Sequence, residues 1–378
     1  MSESLNSLNR NAAEPSTLNK KPRLGWLDAL RGFTMLLVVT NHVALKSFGM
    51  QIRWSAALQF FLLFRMPLFF FISGFLAYKA SRIWKAHTLG ELTLKKLRVQ
   101  IIPTAVFFLL FLAMIPTTPF IDSLNEALAS SMKAGYWFTL VLLYMLLTFY
   151  VFSFVEQKLI SFHFPLSSFL LPLLFILSLC FFETCYLPRQ FSWAVGHKGP
   201  PNVFMNYSSL VEMIRYFPFF LYGAIVHRYW DRAQRLMDSR WFFPLVVFLA
   251  LITTLEVIKW HTLRMEWASL PHTLAMFLLL TMVFIFFRHY SDFFSDKTVL
   301  GRSLQFIGRR TLDIYLLHYF FLPRLPMVGE FFRVNRHNFI LDTTAALAVA
   351  LVVVAFCVIT SQLLRVSPFL KKYLFGRE

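Results

Sequence analysis

Residues 27–45 read LDALRGFTMLLVVTNHVAL, an apolar run long enough to cross a bilayer yet interrupted by Asp28, Arg31 and His42. In a helix of about 100° and 1.5 Å per residue, the step from Arg31 to His42 makes three turns plus roughly 20°. Both side chains therefore share one face and lie roughly 16 Å apart in depth. A charge in mid-bilayer costs about 3 kcal/mol even on the gentlest insertion scale, which marks ionisable residues in such a run as functional candidates.

Composition carries the same message for the rest of the chain. Hydrophobic residues make up 57% of the 378 and charged ones 15%, well under the roughly 25% charged of soluble domains. The net charge of +18 comes from basic residues set between apolar runs rather than along one stripe or patch. It is a topology signal, the expected partner is the lipid bilayer, and no nucleic acid is expected. Ten segments have the length and apolarity of spans: 27–47, 57–78, 97–115, 136–155, 163–182, 213–229, 241–258, 269–287, 303–322 and 340–363. With both termini in the cytoplasm, the inner connections hold about twice as many Lys and Arg as the outer ones, the positive-inside sense. The expected fold is thus an all-α polytopic membrane protein, a bundle of about 10 transmembrane helices.

Residues 1–23, rich in Ser, Asn, Lys and Arg, read as a disordered basic cytoplasmic tail, 24–366 as the transmembrane domain and 367–378 as a short basic cytoplasmic tail. The first apolar run starts late, is full length and lacks a small-residue cleavage pattern, so it reads as a retained helix and not a secretory signal. The outer connection 183–212 is long and rich in Pro, Gly and aromatic residues, a length at which ordered loops tend to be functional. Cys180, Cys185 and Cys357 show no metal or redox spacing, and HExxH, CxxC and GxxxxGK[ST] patterns are absent, so no metal site is expected.

Drawn on this topology, the polar residues sort into two levels. Toward the cytoplasm stand Arg31, Lys95, Lys96 and Arg98 of TLKKLRVQIIP, and Arg309 and Arg310 of FIGRRTLDIYLLHYF. They form a cationic basin suited to phosphates, although simple anchoring of the spans would use the same residues. Asp28, three residues before Arg31, is placed to pair with it. Toward the outside stand His42, Arg65 of FLLFRMPLFFFISGF and His318, while Thr311, Tyr315 and His318 share one face at i, i+4 and i+7. Imidazole accepts a hydroxyl proton near neutral pH. Arg65 or His318 is then available to a developing oxyanion.

The spacing of Arg31 and His42 in LDALRGFTMLLVVTNH, followed by FRMPLFFFISGFL, KKLRVQIIP, YWFTLVLLY and IGRRTLDIYLLHY, resembles the membrane acyltransferase-3 family, with the motifs in the family's order from about residue 24 to 320. Within it the chain is most similar to the glucan biosynthesis protein C branch, which succinylates periplasmic glucans of Gram-negative bacteria. The branch likeness includes NVFMNYSSLVEMIRYFPFFLYGA and the closing RVSPFLKKYLFG. The resemblance implies an enzyme of the bacterial inner membrane that moves an acyl group, succinyl or acetyl, from acyl-CoA to a hydroxyl of a periplasmic or cell-surface glycan. Acyl-CoA is then a co-substrate, and no cofactor is tightly bound.

Residue by residue, the resemblance implies that Arg31 and His42 serve catalysis, with His42 as base or transient acyl carrier, and that Thr311 and His318 belong to the ninth-helix motif. Lys95 and Arg98 fall where the family usually carries Arg-x-x-Arg, so this chain departs at the first position and loses one bidentate fork. Trp137, at the outer end of the fourth span, is a candidate platform for the sugar, and Arg65, Arg189 and Arg215 are candidate readers of a donor carboxylate. The rival reading is a transporter or flippase for an anionic or lipid-linked sugar, which would also use buried cations and a long outer loop.

Overall fold

The computed structural model describes residues 24–51, 55–115, 118–163, 169–185, 203–259, 270–335 and 340–375. Among them every regular element is helical and no strand occurs. The tail 1–23, Arg189 and most of the 183–212 connection lie outside the described residues, as does the Cys185 side chain.

Helix α1 (Gly25–His42) runs on through a π turn at Val43–Ser47. Helix α2 (Ala56–Ala77) starts at Ser55, whose Oγ accepts from the Leu58 amide at 3.2 Å, satisfying one of the helix's orphan donors. Helices α3 (Ala86–Lys96) and α4 (Ile102–Met114) are joined by a π turn at Leu97–Ile101 into one rod. Then come α5 (Phe120–Ala129), α6 (Trp137–Ser161), α7 (Leu170–Cys185), the short α8 (Val203–Ser208), α9 (Leu210–Arg228) and α10 (Trp230–Met237). Helices α11 (Phe242–Lys259), α12 (Leu270–His289), α13 (Val299–Gly308), α14 (Thr311–Leu317), α15 (Pro326–Val334), α16 (Leu341–Leu364) and α17 (Pro368–Phe375) complete the chain.

Among the described residues five helices are long and apolar enough to cross a membrane: Ala57–Ala77, Ala86–Met114, Trp137–Ser161, His272–His289 and Leu341–Leu364. A sixth arises if α10 and α11, bent by 82° at their junction, act as one broken span. Helices α1 and α9 fall outside this set; Asp28, Arg31 and His42 in the first, and Glu212, Arg215 and Arg228 in the second, dilute their hydropathy. Large apolar side chains on the outer surface, among them Phe248, Leu255, Val352 and Phe356, are more than half exposed. That is the surface of a protein whose solvent is lipid.

Two close helix crossings organise the bundle. In the α2–α9 pair, a Cβ on Gly74 would sit 1.8 Å from the Phe220 carbonyl oxygen, and one on Gly223 would sit 1.9 Å from that of Phe71. In the α1–α13 pair, Gly32 faces the Leu304 carbonyl at 2.0 Å and Gly308 that of Asp28 at 1.8 Å by the same measure. Small residues at both partners let backbones touch, which is the main source of helix attraction where no hydrophobic effect operates.

The segment 303–322, expected as one span, is broken. Helix α13 ends where Gly308 rests on the backbone of α1, Arg310 leaves helical geometry (φ −114°, ψ 16°), and α14 restarts at Thr311 before a 3₁₀ turn at His318–Phe320. Asp313 does not pair with Arg309 or Arg310. It accepts from Arg365 Nη2 at 2.7 Å and from Ser361 Oγ at 2.8 Å, both on the α16 side of the bundle. The closing segment also docks: Phe375 of α17 is 1% exposed, packs on Phe107 of α4 and lies under the Arg365 guanidinium at 4.5 Å.

Candidate active site

A cavity of about 550 Å³ lies between α1, α2, the α3–α4 rod, α6, α9 and α14. That volume suits a small-molecule ligand. Its wall includes Arg31, His42, Arg65, Lys95, Lys96, Trp137, Arg215, Thr311 and Tyr315, so these candidates from the sequence surround one space. Arg31 and His42 line it together, as the helical period requires of residues sharing a face.

Asp28, Arg98 and His318 do not line the cavity. Asp28 sits behind Arg31, 6% exposed, with Oδ1 3.5 Å from Arg31 Nη1 and Oδ2 3.3 Å from Arg309 Nε. Arg31 Nη2 also donates to Thr311 Oγ1 at 3.1 Å. Two elements far apart in sequence thus orient this guanidinium, and Asp28 positions it rather than meeting a ligand. Arg98 is exposed. Lys96 and Gln100, one turn apart, face the cavity, and Arg98 lies between them, about half a turn away.

His318 is fully buried, and its Nδ1 lies 3.0 Å from the Ile314 carbonyl oxygen and 2.8 Å from that of Tyr315. Carbonyls only accept, so Nδ1 carries the proton, and in the neutral ring Nε2 holds a lone pair. That nitrogen has no hydrogen-bond partner. A neutral His318 therefore presents a lone pair, not an N–H, on its Nε2 side. Its ring stands 5.2 Å from that of His42 and 4.0 Å from that of Tyr319, packed behind them.

The deep end is built around His42. Its Nε2 lies 3.2 Å from Tyr319 Oη, and the π turn that follows at once, Val43–Ser47, is a feature common at functional sites. Tyr319 is itself wedged against Gly135, where a Cβ would come within 2.1 Å of the phenol oxygen. Gly135 also has φ +104°, which a side chain rarely tolerates. Trp137 stacks on Tyr216 at 5.7 Å, and Tyr216 on Phe70 at 5.0 Å, giving the chamber an aromatic wall. Toward the other end Lys79, Arg82, Lys95 and Lys96 join Arg31 as a ring of positive charge.

Asn41 and Gln100 of the lining, and Tyr319 beside His42, are not singled out by the sequence reading. Asn41 is 2% exposed, and among the described residues neither of its amide atoms has a hydrogen-bond partner, nor does Gln100 Oε1. Tyr319 follows His318 in LLHYF, yet only the 3₁₀ turn brings its hydroxyl onto His42. Among the described residues no group of His, Cys, Asp or Glu is arranged to hold a metal ion.

Comparison with curated proteins and with solved structures gave no match. A family model, described as an acyltransferase domain, matches residues 24–362, which takes in every cavity residue named above. This helical, multi-pass membrane chain belongs to the acyltransferase-3 family.

Proposed function

We propose that the protein is an O-acyltransferase of the bacterial inner membrane, moving a succinyl or acetyl group from cytoplasmic acyl-CoA to a hydroxyl of a periplasmic or cell-surface glycan. In this reading the chain crosses the membrane about ten times with both termini in the cytoplasm, the shorter and broken helices completing spans beside the five long ones. One observation carries the proposal: a single cavity joins a cationic ring at Arg31, Lys95 and Lys96 to the imidazole of His42. A two-substrate acyl transfer across a membrane needs both features in one continuous space.

The phosphates of the donor are held by the cationic ring through charge-assisted hydrogen bonds, and the thioester reaches up to His42. Rise along α1 sets that reach at roughly 16 Å. The sugar O–H gives its proton to the neutral His42 imidazole while its oxygen attacks the thioester carbonyl carbon. The unpartnered Nδ2 of Asn41 supplies a donor for the oxyanion that forms. Collapse breaks the C–S bond, and the departing thiolate takes the proton from the imidazolium, so His42 returns neutral. Transfer through an acyl-imidazole uses the same atoms in two steps. Tyr319 holds the tilt of the His42 ring, and Trp137 with Tyr216 offers a face for the sugar.

The test is mass spectrometry of cell-envelope glycans from a null strain carrying wild type or His42→Ala, with membrane levels matched. A succinyl or acetyl mass added by wild type and missing with the variant supports the proposal and names the acyl group. Equal acylation by the two removes His42 from the chemistry. No change of any glycan by wild type favours transport of an anionic sugar instead.

A further inference from the structure

The cations around the cavity are not equally engaged. Arg31 is held by Asp28 and Thr311. Arg215 lies 3.9 Å from Glu212 and 5.1 Å above the ring of Tyr216. Lys95 is exposed and Lys96 partly so, at the charged ring. Arg65 differs from all of them. Its Nε and Nη1 are enclosed by protein and have no hydrogen-bond partner among the described residues, while its side chain borders the cavity. Among the described residues the groups that act on it electrostatically are Tyr216, Tyr319 and Arg215, with no carboxylate among them, and it acts in turn on His42.

An arginine keeps its proton in protein interiors, and a desolvated guanidinium without a counter-charge is strongly unfavourable. Its planar fork matches a two-oxygen anion. Glu212, an acidic side chain near this end, is turned to Arg215 and Ser131, the latter at 3.4 Å. Among the described residues nothing compensates the charge of Arg65, and a ligand is its natural source. We propose that Arg65 is the seat of an anionic group, carboxylate-like in shape, carried by one of the molecules that react at His42. The proposal rests on the reading of His42 as the reacting centre. Two sources share this chemistry: a free carboxylate at the far end of the donor's acyl chain, or an acidic group on the glycan acceptor.

The experiment has one arm for each source. In the first, CoA, acetyl-CoA, succinyl-CoA and the methyl ester of succinyl-CoA are titrated into purified wild type, Arg65→Gln and Arg65→Lys in detergent. Binding of plain CoA serves as the fold check for each variant. If the donor carries the anion, succinyl-CoA binds wild type about 10- to 100-fold tighter than its methyl ester or acetyl-CoA, the yield of one charge-assisted contact. That preference falls to near unity in Arg65→Gln and returns in part in Arg65→Lys. In the second arm, glycans of the null strain carrying each variant at matched membrane level are weighed. If the acceptor carries the anion, wild type shows no preference among the thioesters, and Arg65→Gln loses acylation of acidic glycans while neutral ones keep theirs. Arg65→Gln indistinguishable from wild type in both arms overturns the proposal. Failure of plain CoA to bind wild type overturns the acyl-CoA reading instead, and the glycan arm still decides on Arg65.

Discussion

An alanine at position 308 would place a Cβ 1.8 Å from the carbonyl oxygen of Asp28, where ordinary contact begins at 3.4 Å. Helices α1 and α13 would have to part by about 1.6 Å, the difference between those values. The atom met is backbone, so no rotamer change relieves the clash. Overpacking of this kind costs about 1–3 kcal/mol, and a main-chain obstacle puts the cost near the top of that range. The same displacement reaches the charged ring. Arg309 Nε to Asp28 at 3.3 Å and Arg31 Nη2 to Thr311 at 3.1 Å are both close to the limit of a hydrogen bond. Gly308→Ala should therefore lower the thermal unfolding midpoint in detergent by the equivalent of about 3 kcal/mol, and weaken CoA binding by about tenfold through a misaimed Arg31. Gly90→Ala is the comparison, because nothing lies within 4 Å of its Cβ position. There the loss of a helical glycine should raise stability by up to about 1 kcal/mol. Wild-type melting and wild-type CoA affinity for Gly308→Ala would refute the close crossing and the link from it to Arg31.

Tyr319→Phe removes the hydroxyl 3.2 Å from His42 Nε2 and should lower kcat for acyl transfer about tenfold with KM unchanged; a change confined to KM would argue against a role in holding the ring. Asp313→Asn weakens the contacts with Arg365 and Ser361 and should cost about 2 kcal/mol, below the full value for a buried pair because Arg365 is partly exposed. A double-mutant cycle with Arg365→Gln that gives no coupling would sink that estimate. Lys95→Ala with Lys96→Ala should weaken CoA binding and flatten its salt dependence, and an unchanged salt slope would move the phosphate site elsewhere.

Much of α1 could be read without coordinates, because a charge in an apolar run is conspicuous and the helical period alone puts Arg31 and His42 on one face. The break after Gly308 could not. Apolar spacing continues through FIGRRTLDIYLLHYF, while the helix ends at Gly308, where the backbone lies against the Asp28 carbonyl. The family likeness pairs Lys95 with Arg98, whereas the cavity is lined by Lys95, Lys96 and Gln100 and leaves Arg98 outside. Asn41 lies next to His42 and so about 100° from it on a helical wheel; it lines the cavity because that space wraps around the helix. Arg65 was visible as a charge within a span, but its lack of an acidic neighbour is a property of several helices at once.

The bond between Arg31 and Thr311 spans 280 residues. At a synthesis rate of about 5–20 residues per second, the first helix waits roughly 14 to 56 s in the membrane before the second half of its clasp exists. Over that interval Asp28 and Arg31, three residues apart, have each other for compensation while Arg309 has yet to emerge. Helix α1 is thus made long before the contacts that complete it, and its charges spend that interval without their partners at Arg309 and Thr311.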